Sequence, residues 1–197
     1  MVAEEGYAAL TMRRIAAKLD TGPATLYAHF ANKAALDEQM LATLCKQIVL
    51  PRPDATRWRE QMHDLAAQIR DAYLAYPGIS MATLAVVPTN PETLRLSESM
   101  LAVMIAGGVS PQSAAWAVDA ISLYVAAYCL EQAQWVTDVT ASGGWPQTRD
   151  ALLRRFDALP DSDFPVSKAY ARELTAGAGH DRFDFTLSIM LAGLAQQ

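Results

Sequence analysis

From Thr11 onward the apolar positions recur at three- and four-residue spacing, interrupted by proline and glycine, which predicts helices throughout and no strand. Thr11 is placed to cap a short helix with Ile15, Ala16 and Leu19 on its inner face, and Asp20, Thr21 and Gly22 form the turn that ends it. Pro23 then takes the first position of a second short helix, where its missing N–H costs nothing. Leu26 and Phe30, four residues apart, face inward and leave Ala24, Thr25, Tyr27, Ala28 and His29 outward. A solvated face ordinarily carries Lys and Glu. A hydroxyl, a phenol, an imidazole and two small residues instead suit close approach to base edges. Paired short helices also occur as plain helical hairpins, so spacing alone leaves both readings open.

The pattern continues with a helix capped by Asn32 and running to about Val49, its stripe formed by Ala35, Leu36, Met40, Leu44 and Ile48. Pro51 and Pro53 end it. A helix opening at Asp54 to Thr56 carries Trp58, Met62, Leu65, Ile69, Tyr73 and Tyr76 before Pro77-Gly78 breaks it. A short apolar segment (Ile79 to Val87), a turn from Pro88 to Pro91 and a helix from Glu92 to Ala106 follow, stopped by Gly107-Gly108. The longest and least polar helix runs from Pro111 to about Asp138, with Asp119 its one charge between Gln112 and Glu131. A long loop from Thr137 to Pro165 should hold one short helix near Thr148 to Leu159, and the last amphipathic helix spans Arg182 to Ala195. The expected fold is all-α, with a helix-turn-helix head over residues 1–49 and a helical body over 50–197.

Composition sharpens this picture. The chain of 197 residues is 52% hydrophobic and 19% charged, enough apolar material for a full core. Its net charge of −5 argues against binding nucleic acid by overall basicity. The distribution is uneven, however: residues 1–50 carry five Lys and Arg against five Asp and Glu, so the acidic excess lies in the body. Cys45 and Cys129 are far apart, with no CxxC pair or metal-ligand spacing, and read as free thiols of a reduced, cytoplasmic protein. No apolar run is expected to approach the roughly 20 residues of a membrane helix. No Ser/His/Asp or Glu/His grouping at helical spacing supports an enzyme.

Residues 5–36, EGYAALTMRRIAAKLDTGPATLYAHFANKAAL, resemble the DNA-binding domain of the TetR family of bacterial repressors. The resemblance is carried by Gly6 and Tyr7, Leu10 and Thr11, Ile15 to Ala17, Thr25 to Tyr27, Phe30 and Lys33. It implies a double-stranded DNA operator, with Thr25, Tyr27, His29 and Lys33 touching phosphates or bases. It places Pro23, Ala24 and Ala28 where the recognition helix enters the major groove, and Thr11, Met12 and Arg13 where the preceding helix meets the backbone. Arg13 and Arg14 suit that place because cations beside a groove-reading helix release counterions. Asp20 departs from the family's usual glycine, so a slightly reshaped turn is expected. A head of this kind begins with a helix of about three turns, yet only residues 2–5 precede Gly6. Further residues are therefore expected in front in the functional protein, and a native mass equal to that of this chain refutes it.

PTNPETLRLSESML and GVSPQSAAWAVDAISLYVAAYCLE resemble the tetracycline-repressor-like branch, which implies a homodimer built on the long and last helices. The apolarity of those two helices independently suggests self-association. A small-molecule effector pocket is expected among Trp58, Met62, Ile69, Tyr73, Thr83, Met100, Met104, Trp116, Tyr124, Tyr128 and Glu131, with Gln134 as a further polar contact. Each of these residues also suits an ordinary core. His63 has no carboxylate at i+4 and reads as a surface or satisfied residue. Tetracycline repressors hold magnesium with a histidine five residues before the proline of the corresponding turn. Counting back from Pro88 puts Thr83 there, which implies an effector bound without metal, and no other cofactor is expected. The whole reads as a ligand-released repressor in which the Asn32 to Val49 helix is the lever; the alternative is a helical interaction or ligand-binding protein that no longer binds DNA.

Overall fold

The computed structural model describes residues 1–85, 89–138 and 148–195, giving only the backbone at 85 and 134–138. The head comprises α1 (Val2–Glu5), a 3-10 turn (Tyr7–Ala9), α2 (Met12–Lys18), α3 (Pro23–His29) and the start of α4 (Lys33–Cys45). The body comprises α5 (Trp58–Leu74), α6 (Met81–Ala85), α7 (Pro91–Ala106), α8 (Pro111–Asp138), α9 (Arg149–Asp157), α10 (Pro165–Ala169), α11 (Ala171–Leu174) and α12 (Asp181–Leu194). No strand occurs among the described residues. The turn expected at Pro88, most of the loop expected after Thr137 and the Gln134 side chain lie outside what is described.

Local chemistry sets the helix ends. The Thr11 and Asn32 side chains accept from the backbone N–H groups of Arg14 (3.2 Å) and Ala35 (2.9 Å), each satisfying one orphan donor of a first turn. Asp20 adopts the left-handed conformation itself, with φ 51°. The Asp20 N–H donates to Ala17 O at 3.2 Å and the Thr21 N–H to Ala16 O at 3.0 Å, a Schellman stop. The aspartate thus completes the turn without the glycine, and no reshaping is needed. Gly107 and Gly108 end α7 in the same way, with Gly108 at φ 84°.

Among the described residues, three apolar clusters hold the chain together, and α4 contributes to each. Leu36 joins Met12, Ala16 and Leu26 in the head; Leu41 and Leu44 meet Ile79 and Ala82 at the junction; Cys45 belongs to the body core. Helix α4 stops at Cys45, short of the expected Val49, which is exposed. Leu19 is 63% exposed, contrary to its expected inward face, because the α2 inner face centres on Met12 and Ala16.

In the body, α8 packs against α5, α6, α7 and α12. Its stretch Pro111–Ala133 is by length and composition apolar enough to cross a membrane, which corrects the expectation from sequence. Here that apolarity serves packing instead: Ala114, Ile121, Val125 and Cys129 are buried in the body core. On the outer side of α8 and α12, Trp116, Phe185 and Ile189 remain exposed.

Gly107 is held by close approach. A Cβ there would stand 2.2 Å from Cγ of Trp58, whose ring is 4% exposed and fixed in the core. Gly107→Ala is expected to lower stability by about 1–3 kcal/mol, the cost of overpacking, despite its ordinary backbone angles. Urea unfolding measures it, and an unchanged midpoint contradicts the packing.

Candidate nucleic-acid interface and ligand cavity

Helix α3 buries only Leu26, with Phe30 half-buried after it, so Pro23, Ala24, Thr25, Tyr27, Ala28 and His29 are all presented to solvent. Tyr27 is 51% exposed. Beside this face, Thr11 and Arg13 are exposed at the start of α2. Arg14 turns back to bond Ala9 O at 3.0 Å and the Glu5 carboxylate, so Arg13 is the arginine of the pair left facing outward.

Two of the expected contact residues have other partners within the folded chain. Met12 is buried in the head core, because it lies four residues before Ala16 on the inner face of α2. Lys33 is half-buried and turned inward: its Nζ lies 3.0 Å from both oxygens of buried Asp37, bonds the Tyr7 hydroxyl and sits 4.0 Å from the centre of the Tyr7 ring. Tyr7 also donates through its hydroxyl to Asp37 at 2.8 Å and through its backbone N–H to Pro77 O at 2.8 Å. Lys33 therefore belongs to a knot joining the head to the turn after α5. The Lys33 pKa is raised: burial opposes its charge, and the bonds to Tyr7 and Asp37 outweigh that opposition.

The body holds a cavity of about 480 Å³ between α4, α5, α7 and α8. Four expected residues line it: Ile69, Tyr73, Thr83 and Met100. The others do not. Trp58, Met62 and Met104 are interior core residues, and Trp116 is 70% exposed on the outer face of α8. Tyr124 and Tyr128 pack on Phe183 of α12, and Glu131 is paired with Arg182. A three-to-four spacing identifies a buried stripe but not which of several neighbours it faces, and α8 has neighbours on most sides. His63 likewise has a partner that its own helix does not supply, Asp184 of α12 at 3.3 Å.

Several lining residues went unread in the sequence, among them Glu38, Leu41 and Cys45 of α4 and Asp119 of α8. Their signals were present: the α4 residues recur at i, i+3 and i+7, and Asp119 is the isolated charge in an apolar helix. Thr93, which also lines the cavity, has a buried hydroxyl oxygen without a hydrogen-bond partner. A wider, open groove of about 620 Å³ adjoins it along α7 and α8, sharing Ser97, Ala115 and Val118.

Burial pushes the Cys45 thiol up to about 11 and the Cys129 thiol up to about 12. The folded state therefore keeps protons that the unfolded chain releases, and stability is lost as pH rises from about 9 through 11. The urea midpoint is expected to fall over that window, and to fall less in Cys45→Ala/Cys129→Ala. Equal losses in both proteins contradict it.

Residues 1–40 match the family model described as bacterial regulatory proteins, tetR family, and residues 50–197 match the tetracyclin repressor-like C-terminal domain. The chain belongs to the TetR family. The class G tetracycline repressor of Vibrio anguillarum is 33% identical over 131 residues, 66% of this chain and 62% of that protein. The class C repressor of Escherichia coli is 28% identical over 193 residues, covering 96% of this chain and 83% of that one. The TetR family protein ActR of Streptomyces coelicolor, solved with actinorhodin, matches with TM-score 0.86 at 30% identity over 99% of this chain and 91% of that one. As a TetR family member, this protein is a ligand-responsive, DNA-binding transcriptional regulator. TetR family regulators bind operator DNA and small-molecule ligands and are dimers. TetR family regulators are generally not enzymes.

Proposed function

We propose that this TetR family protein is a cytoplasmic, non-enzymatic repressor released from a palindromic operator when an effector enters the cavity between α4 and α8. Residues 1–49 act as the reading head and 50–197 as the sensing and dimerising body. The observation that carries this is the outward face of α3, where Tyr27, Thr25 and His29 stand among Pro23, Ala24 and Ala28 with no bulky charge to block base edges. Thr11 and Arg13 flank it as backbone contacts.

Dimerisation through the exposed apolar side of α8 and α12 supplies the two-fold axis, and paired heads about 34 Å apart match two half-sites. Helix α4 links the parts physically, since its residues enter the head, junction and body clusters in turn. An effector that prefers one body shape lowers DNA affinity by its differential binding, commonly about 1–3 kcal/mol.

The direct test is binding to duplex DNA from the flank of its own coding region at several salt concentrations. A specific complex with a negative salt slope is expected, and no complex at low salt overturns the reading. The cavity is proposed to work without metal; a melting shift with tetracycline that requires magnesium would overturn that part.

A further inference from the structure

We infer that the cavity selects a cationic, amine-bearing apolar ligand, and that Glu38 both receives the ammonium group and reports its arrival to helix α4. This rests on the effector reading of the cavity and specifies the chemistry of its occupant.

The first observation is the charge of the wall. Glu38 from α4 and Asp119 from α8 line the cavity, and no Lys, Arg or His is among its described lining residues. The remaining wall is largely apolar, through Leu41, Ile69 and Met100, with the Thr93 hydroxyl oxygen buried and unpartnered beside them. A ligand carboxylate entering such a space meets two like charges with no compensating cation, whereas an ammonium meets two opposite charges. A volume of about 480 Å³ accommodates a compact two-ring amine rather than a bare ion.

The second observation is what Glu38 already does. Its Oε1 accepts from the Thr89 backbone N–H at 3.0 Å and from the Thr89 hydroxyl, tying α4 to the residue before the Asn90 cap of α7. Those bonds hold the Glu38 carboxyl below the usual carboxylate range, so it is anionic at neutral pH. An ammonium that takes up Oε1 competes with Thr89 for that oxygen. Loosening that tie frees the middle of α4, the segment between the head cluster at Leu36 and the junction cluster at Leu41.

The test uses three probes of one shape: biphenyl-4-methanamine, biphenyl-4-methanol and biphenyl-4-carboxylate, titrated by calorimetry into the full chain without DNA. The amine is expected to bind at least tenfold more tightly than the carboxylate, with the alcohol between. Glu38→Gln and Asp119→Asn, which keep shape and remove charge, are expected to bring amine and carboxylate within threefold. Glu60→Gln, an equal charge change outside the cavity, should leave the preference intact. Thr89→Ala should keep the preference yet reduce the amine's effect on DNA affinity. An alcohol or carboxylate that binds as tightly as the amine, or no binding by any probe at millimolar concentration, overturns the inference. Because selectivity is read without DNA, its loss counts against this inference alone. Failure of the unliganded protein to bind DNA counts instead against the repressor reading.

Discussion

Tyr27→Ala is expected to abolish specific operator binding while leaving the unfolding transition where it was. The Tyr27 side chain is 51% exposed, on a helix that buries Leu26 alone, so its removal opens no cavity in the fold. Losing one base-edge contact costs about 1–3 kcal/mol, and the dimer loses it twice. The expected penalty is therefore about 2–6 kcal/mol, on the order of 30-fold or more in Kd. Because Tyr27 carries no charge, the salt slope on random duplex should be unchanged, whereas Arg13→Ala should shallow it. Gel shifts on specific and random duplexes separate these effects. Retention of specific affinity within threefold in Tyr27→Ala would remove α3 from the reading role.

Phe183→Ala should be the most destabilising single truncation, at about 3–5 kcal/mol. The ring is fully buried, stacked 5.4 Å from Tyr124 and tilted 5.0 Å from Tyr128, with the Arg70 guanidinium 4.8 Å from its centre. Truncation leaves a cavity and takes the ring from a buried cation. Arg70 would keep only its carboxylate partners, Asp71 at 2.8 Å and Asp184 at 3.5 Å. The loss extends to assembly, because Phe183 seats α12 on α8 and the exposed Phe185 and Ile189 face depends on that seating. Urea unfolding at fixed protein concentration, with sedimentation of the native state, should show reduced stability together with weaker dimerisation. A loss under 1 kcal/mol would contradict the packing of α12.

The head was legible in the sequence because its signals are local. Thr11, Asn32 and Pro23 set helix starts through bonds or missing donors within one turn, and the outward face of α3 followed from the positions of Leu26 and Phe30. Asp20 shows the limit of residue preference, since the two bonds of a Schellman stop hold an aspartate where glycine is usual. The apolar stripes of α5, α7, α8 and α12 were also readable from their spacing, and with them the all-α class.

Which neighbour each stripe meets was decided only by tertiary structure. Trp58 and Met104 went to the core, Tyr124 and Tyr128 to Phe183, and Trp116 to the outside, although all share the same helical spacing. Lys33 turned inward because packing of the first turns on α4 brings Tyr7 against it and its i+4 neighbour Asp37. His63 found Asp184 across the body. The sequence by itself determined helix positions, caps and the reading face, since each depends on atoms a few residues apart. The cavity, its two carboxylates and the partners of the buried charges were decided by the tertiary structure, because they depend on surfaces that meet only after the helices pack.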